Sequence, residues 1–308
     1  MGFLCVTIDL DEVHCYHAIH GLDAPARDAA HVVYRRALPR VARFLKELEI
    51  PGTFFVVGKD LRADGEAASM LRDLAGQGHE MGNHTMSHRY DFSAIGLVDQ
   101  ALEIDEAADV IEDEIGVRPK GFRAPGYNVH TGITDLLESR KYVYDSSVFP
   151  CPAYYTAKAA AIGLKSLQGR QSASLVGDPR VLSAPTGPYR IGRDGIWTRG
   201  DGLPELPISV VTPARVPFIG TSLGMMGVIP ASLLARAAAR LPFVNLELHG
   251  IDFADADGDG LAHLKEHQPD LRVPLVKRKK ALIRAVQTLL KAGLEPVTLK
   301  DAAERVFV

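Results

Sequence analysis

Residues 3–11 read Phe-Leu-Cys-Val-Thr-Ile-Asp-Leu-Asp, an apolar and β-branched run that ends in two aspartates. This composition predicts a buried strand over Phe3–Asp9. Side chains two residues apart share one face of a strand, so Asp9 and Asp11 converge if the strand continues past Asp9. Functional groups of parallel α/β folds collect at the carboxyl ends of strands, which favours a functional pair here. A solvated acidic turn is the alternative.

The rest of the chain alternates short apolar runs with amphipathic stretches, which predict strands and helices in turn. The predicted strands are 52–58, 79–85, 120–125, 142–148, 243–251 and 295–299. The predicted helices are 32–49, 67–75, 93–116, 133–140, 276–290 and 300–306. This alternation indicates an α/β fold with a parallel sheet, open or closed into a barrel.

Residues 150–241 interrupt the alternation. They are rich in proline, glycine and arginine, and 189–197 predicts a hairpin. We interpret 150–241 as an irregular insertion in one domain of 1–308, since α/β barrels commonly use about 200–250 residues as one unit. The uncharged stretch 216–235 contains glycines and prolines that interrupt a helix, so we expect no stable membrane span.

Composition excludes several classes of protein. The net charge of −3 and a pI of about 6.4 argue against a nucleic-acid-binding surface, which needs a basic domain. The three cysteines have no regular spacing and predict no disulfide framework. The first residues lack the basic region of a signal peptide, so we expect a cytoplasmic protein. A homo-oligomer is compatible with the composition.

Two histidines four residues apart, His84 and His88, follow a predicted strand. Imidazoles at this spacing reach one ion if the segment turns helically. Together with Asp9 and Asp11 they offer the mixture of carboxylate and imidazole that suits zinc or a similar first-row ion. Three of the four would hold the ion and the fourth would activate a water. Chance spacing is the alternative, since the chain has 11 histidines.

Further polar residues lie at the ends of predicted strands. Arg123 can orient a carboxylate through a bidentate pair, and a backbone N–H after Pro125 can face a substrate oxygen. His249 can act as a general acid if a carboxylate such as Asp145 keeps it protonated. For single residues, a surface arginine and a satisfied core histidine are the alternatives.

In their order, these motifs resemble those of the polysaccharide deacetylase family, the NodB-homology group of carbohydrate esterases. The five matching segments are Thr-Ile-Asp-Leu-Asp (7–11), His-Thr-Met-Ser-His (84–88), Arg-Ala-Pro-Gly-Tyr (123–127), Tyr-Asp-Ser-Ser (144–147) and Leu-Glu-Leu-His (246–249). They span most of the chain. The resemblance implies a distorted (β/α) barrel of about seven parallel strands.

The resemblance also implies roles by position at a metal centre. Asp11, His84 and His88 would bind Zn²⁺ or another divalent first-row metal. Asp9 would be the general base, and Arg123 would hold it in place.

On the substrate side, the resemblance implies that Gly126 and Tyr127 bind substrate, with the backbone N–H of Gly126 facing the oxyanion. His249 would be the general acid and Asp145 its orienting partner. The implied activity is N-deacetylation of an amino sugar or sugar conjugate by a metal-dependent amidase.

Leu10 separates the two aspartates that are adjacent in many family members. The separated form looks like a branch with cytoplasmic peptidoglycan-deacetylase-like and allantoinase-like proteins. A hydrolase of cyclic amides or ureides is therefore the first alternative, and a metal-binding protein without catalysis is the second. Residues 255–266 match a calcium-loop pattern, but a strand precedes them where a helix is needed, so we expect a solvated acidic loop and no Ca²⁺. Residues 14–20 are expected at the substrate mouth.

Overall fold

A single curled sheet organises the part of the chain that the computed structural model describes, residues 2–26, 29–167 and 172–307. Its strands and a small separate pair are β1 (Phe3–Asp9), β2 (Thr53–Val56), β3 (Glu80–Asn83), β4 (Gly121–Phe122), β5 (Tyr144–Asp145), β6 (Tyr189–Gly192), β7 (Gly195–Glu205), β8 (Val210–Val211), β9 (Val216–Pro217), β10 (Phe243–His249) and β11 (Glu295–Pro296). The order in the main sheet is β10-β1-β2-β3-β4-β5-β7-β6, and β11 also pairs with β1.

Neighbouring strands of the main sheet run parallel except for the hairpin between β6 and β7. The predicted parallel α/β sheet is thus confirmed, and it is curled into a half-barrel. Several strands are shorter than predicted, because the chain leaves the sheet soon after Asn83, Phe122 and Asp145 to form the loops at its carboxyl edge.

Helices surround the sheet. They are α1 (Val13–His20), α2 (Leu38–Leu48), α3 (Gly58–Arg62), α4 (Gly65–Gly76), α5 (Leu97–Ile115), α6 (Thr131–Ser139), α7 (Pro152–Leu167), α8 (Gly220–Met226), α9 (Val228–Ala238), α10 (Leu275–Lys291) and α11 (Leu299–Val306). A π-helical turn at Val33–Ala37 leads directly into α2. No helix of the described residues is both long and apolar enough to cross a membrane.

Local signals fix many helix ends. The Asp64 side chain accepts from Ala67 N and so begins α4, and Gly116 ends α5 in the left-handed conformation at φ 88°. α1 is a helix that the sequence pattern did not predict. The Glu12 carboxylate accepts from Val13 N at its start, a local bond that hydrophobic periodicity does not reveal.

The segment expected as an insertion takes part in the sheet. Glu205 at the end of β7 pairs in parallel with Asp145 of β5. Beyond it, Leu206 N donates to Asp145 O at 2.9 Å and Ser209 N donates to Asn245 O at 3.1 Å. Residues 206–209 therefore link the β5 side of the curled sheet to β10 at the other end. The predicted hairpin is present as β6 and β7, with a longer second strand.

Side chains of β1 point alternately to the face of the sheet that the helices cover and to the interior of the curled sheet. Leu4, Val6 and Ile8 belong to the largest hydrophobic cluster, which packs under the helices. Thr7 and Asp9 lie on the opposite face, where Thr7 Oγ1 bonds Asn245 Oδ1 of β10 at 3.1 Å. The period of two thus directs the polar residues of adjacent strands into the same interior.

Candidate active site

Three buried ligand atoms meet at the carboxyl edge of the sheet. His84 Nε2 lies 3.2 Å from Asp11 Oδ1, and His88 Nε2 lies 3.3 Å from Asp11 Oδ2. The histidines are in the loop after β3, not on a helix, and the left-handed φ values of Thr85 (66°) and His88 (52°) turn both rings inward. Two non-glycine residues in this region are costly, and such strain clusters at functional sites.

This cluster fits a divalent first-row cation. Within the residues that the structure describes, Asp11 Oδ1 and both ring nitrogens of His88 are buried with no hydrogen-bond partner. His84 Nδ1 bonds Arg123 O at 2.7 Å, the outer contact that orients a metal-binding imidazole. Ligand atoms of Asp11, His84 and His88 lie within 4.8 Å of one another. Mixed nitrogen and carboxylate donors are the set that zinc accepts.

The charges of the cluster depend on one another. Burial would raise the pKa of Asp11, but His88 and His84 outweigh it and hold that pKa well below its usual range. Burial would lower the pKa of His84, yet Asp9 and Asp11 raise it above the ordinary value. A bound cation requires deprotonated ligands, so it would displace the proton that the His84 ring otherwise carries.

Asp9 lies beside the cluster and is held from the other side by Arg123. Arg123 Nη1 donates to Asp9 Oδ1 at 2.6 Å and to Thr7 Oγ1 at 3.1 Å. Its Nε and Nη2 donate to Ser146 O and Oγ at 2.8 and 2.9 Å. The guanidinium is fully buried. Asp9 Oδ2 remains directed towards His84 Nε2, 3.8 Å away.

His249 faces the same cluster from the end of β10. Its Nε2 lies 3.8 Å from Asp11 Oδ2, and its Nδ1 lies 3.0 Å from Glu247 Oε1. Burial would lower the pKa of His249, but Glu247, Asp11 and Asp9 together raise it to about 9. The imidazole is therefore protonated at neutral pH and can give up a proton.

The expected pairing of His249 with Asp145 needs correction. Asp145 Oδ1 accepts from Ser147 Oγ at 2.5 Å, and its carboxyl bonds that of Glu205. Burial raises the pKa of both carboxyls, of Asp145 to about 6, so the pair can share a proton. Glu247 is the carboxylate that contacts His249, because residues two apart on β10 share one face.

Glu247 was overlooked although it stands within the quoted segment 246–249. It also accepts from the Tyr127 hydroxyl at 2.6 Å, so that side chain faces the interior. Asp9, Glu247 and His249 form a second group of potential ligands. Arg123 and Tyr127 already engage its two carboxylates, which leaves the Asp11 group as the better cation site.

Gly126 and Tyr127 follow β4 in a turn where both residues have φ 63°. Gly126 lines the cleft above the cluster, and its carbonyl accepts from Lys158 Nζ at 3.1 Å. Burial lowers the pKa of Lys158 to about 8. No sequence signal identified Lys158, because α7 approaches the site only through the tertiary fold.

A cleft of about 590 Å³ opens over these residues. α1 contributes Tyr16, Ile19 and His20 to it, so part of 14–20 does lie at the mouth.

The acidic loop that follows β10 is engaged in ion pairs: Arg40 Nη1 lies 2.5 Å from Asp259 Oδ2, and Lys265 Nζ lies 2.6 Å from Asp257 Oδ1.

Known proteins are similar to this chain in sequence and in fold. Residues 28–144 match the family model described as polysaccharide deacetylase. Over 143 residues the chain is 24% identical to the peptidoglycan deacetylase of Helicobacter pylori, which covers 46% of this chain and 47% of that protein. Over 90 residues it is 39% identical to a chitooligosaccharide deacetylase of Sinorhizobium fredii, which covers 28% of this chain and 39% of that protein.

These matches show similarity to the polysaccharide deacetylase family, and the family model covers residues 28–144 of the chain. The resemblance drawn from the five motifs is thus confirmed, although the match spans less than half the length of either curated relative. A candidate polysaccharide deacetylase from Mycobacterium smegmatis has the same fold, with a TM-score of 0.60 and 19% identity over 99% of this chain and 91% of that one. The region matched by the family model contains His84, His88 and Arg123, and the fold adds Asp9, Asp11 and His249 from outside it.

Proposed function

We propose that the protein is a metal-dependent amidase that removes an N-acetyl or similar acyl group from an amino sugar or sugar conjugate. The convergence of Asp11, His84 and His88, with Asp9 on one side and His249 on the other, carries this proposal. Deacetylases among its relatives, one acting on peptidoglycan and one on chitooligosaccharides, support the choice of an N-acyl sugar.

Asp11, His84 and His88 would hold the cation, for which zinc is the first candidate. When bound, a divalent metal supplies Lewis-acid activation of water and of the amide carbonyl. The other residues act from opposite sides of the scissile bond. Asp9, fixed by Arg123 through Oδ1, presents its other oxygen as the base that accepts a proton from water.

His249 supplies the proton that the departing amine needs. The C–N bond breaks as the water oxygen bonds to the acyl carbon, and the products are a carboxylic acid and a free amine. Glu247 keeps the imidazole charged and oriented through Nδ1, so that Nε2 can donate. The backbone N–H of Gly126, in the turn at the cleft, is the proposed donor to the oxyanion.

The test is acetate release from N-acetylchitooligosaccharides by zinc-loaded protein, with metal content measured in each sample. We expect release that a chelator abolishes and added zinc restores. Asp9→Asn should lose at least about 100-fold in kcat, as expected for a general base, while it retains zinc. Full activity in that variant would refute the role of Asp9. Zinc binding without acetate release, but with ring opening of a cyclic ureide, would favour the allantoinase-like alternative.

A further inference from the structure

The cleft over the candidate site has one wall that is almost entirely apolar. α7 forms this wall, and aliphatic side chains from α1 and from the loops beyond β9 and β10 face it. The aliphatic residues along it are Ile19, Ala157, Ala161, Ile162, Ile219 and Ile251. Burial of a hydrocarbon chain against such a surface is favourable, whereas the surface offers few hydrogen-bond partners to sugar hydroxyls.

The apolar surface of α7 continues beyond the cleft. Ala157, Ala161 and Leu164 are spaced by four and three residues, so they share one face of the helix. The two alanines have small side chains, which leave space between α7 and the site. Leu164 is 58% exposed and extends this apolar face beyond the cleft. A chain longer than the cleft would pass over this residue.

Polar side chains also line the cleft, including Tyr154 and Lys158 of α7 and, from other segments, His20, Ser172, Ser174, His267 and Gln268. Among the described lining residues, the only carboxylates are those of Asp9 and Asp11 at the floor. The Tyr16 hydroxyl also lines the cleft, and it is buried with no hydrogen-bond partner in the described chain. Thr221 and Ser222 of α8 line it as well. The cleft is therefore amphipathic, with an unsatisfied hydroxyl near the candidate metal ligands.

The ammonium group of Lys158, the α7 lysine that lines the cleft, is not free to bind a polymer. Lys158 Nζ donates to Gly126 O at 3.1 Å and lies 5.6 Å from the centroid of the Tyr154 ring. Its stem adds further apolar surface to the wall. A polymeric sugar in this position would bury hydroxyls against α7 without partners, whereas an alkyl chain would not.

We infer that the substrate is amphipathic: an N-acylated amino sugar that carries a hydrocarbon chain. The sugar and its amide reach the floor, where Tyr16 offers a hydrogen bond, and the chain lies along Ala157, Ala161 and Leu164. This inference rests on the proposed amidase function and specifies its substrate class. The chain can be attached to the sugar or can be the acyl group itself, since either places hydrocarbon beside the amide.

The experiment compares the methyl and octyl glycosides of N-acetylglucosamine below the concentration at which the octyl glycoside aggregates. Each methylene buried on α7 should strengthen binding roughly fourfold. Even partial burial of the octyl chain should raise kcat/KM at least tenfold over the methyl glycoside, mainly through a lower KM. N-octanoylglucosamine against N-acetylglucosamine forms the second arm, and the arm that shows the preference identifies where the chain is attached.

A matched pair of variants tests the wall. Ala161→Glu places a charge within it, and Ala159→Glu places the same charge on the opposite, exposed face of α7. The chain preference is the ratio of kcat/KM for the chain-bearing substrate to that for its short-chain counterpart. We expect this ratio to fall towards one in Ala161→Glu and to stay as in wild type in Ala159→Glu. Equal responses of the two variants would overturn the inference.

The outcomes separate this inference from the proposed function. Acyl release from all substrates without a chain preference, or faster release from tetra-N-acetylchitotetraose than from either chain-bearing substrate, would overturn the amphipathic substrate and leave the amidase function intact. Absence of acyl release from every compound, with zinc bound, would instead refute the amidase function itself.

Discussion

Glu247→Gln tests the contact that makes His249 an acid. The folded protein holds the pKa of His249 at about 9, and Glu247, 3.0 Å from Nδ1, is the largest influence that raises it. An adjacent opposite charge shifts a pKa by about 1–3 units. Removal of that charge should lower the pKa of His249 to roughly 6–8, a change of about 1.4–4 kcal/mol between the two protonation states. Asp11 and Asp9 remain and preserve part of the shift.

The assay is an imidazole NMR titration of the metal-free protein, with the His249 signals assigned by comparison with a His249→Gln variant. A general acid must carry its proton, so the alkaline limb of the pH–rate profile should move to lower pH in Glu247→Gln. Glu205→Gln is the matched control, because it removes a buried carboxyl that contacts Asp145 and should leave the His249 titration unchanged. An unaltered His249 pKa in Glu247→Gln would refute the reasoning.

Three other changes test separate parts of the structure. Arg123→Met leaves the Asp9 carboxylate buried without its partner 2.6 Å away, so urea titrations should show a free energy of unfolding lower by about 3–5 kcal/mol. His88→Ala removes a candidate ligand atom, so zinc affinity measured by chelator competition should fall by more than the ~10–100-fold typical of an outer-shell change, with native circular dichroism. Gly121→Ala places a Cβ 2.0 Å from the Tyr144 ring, and overpacking should lower the stability by about 1–3 kcal/mol, measured as a lower Tm. Wild-type behaviour in any of these variants would contradict the corresponding contact.

The elements that sequence patterns predicted well are those with strong local periodicity. The strand Phe3–Asp9 has the predicted bounds, and the amphipathic stretch at 93–116 is the helix Leu97–Ile115. The short strands were overestimated, because apolar residues continue into loops that are buried against the interior. α1 was missed, since eight residues with three histidines show little periodicity and a side-chain cap begins the helix.

In the candidate site, too, the residues of short local motifs were predictable, whereas the contacts between distant segments were not. Asp9 and Asp11, and His84 and His88, were selected as candidates from their spacing within short segments, and the structure brings them together. The partner of His249 was assigned to the wrong carboxyl, because both Asp145 and Glu247 lie on inward-facing strand positions. Only the contacts of Asp145 with Ser147 and Glu205 show that its carboxyl is already engaged.

By itself, the sequence determined the family resemblance, the α/β class and the candidate metal-ligand motifs, because these depend on residue type and on spacing over a few positions. The tertiary structure decided which charges meet. Arg123 and Asp9 are 114 residues apart, and α1 and α7 become the two sides of one cleft only when the sheet curls. Contacts between such distant segments depend on how strands are ordered and closed in space, which no local periodicity encodes.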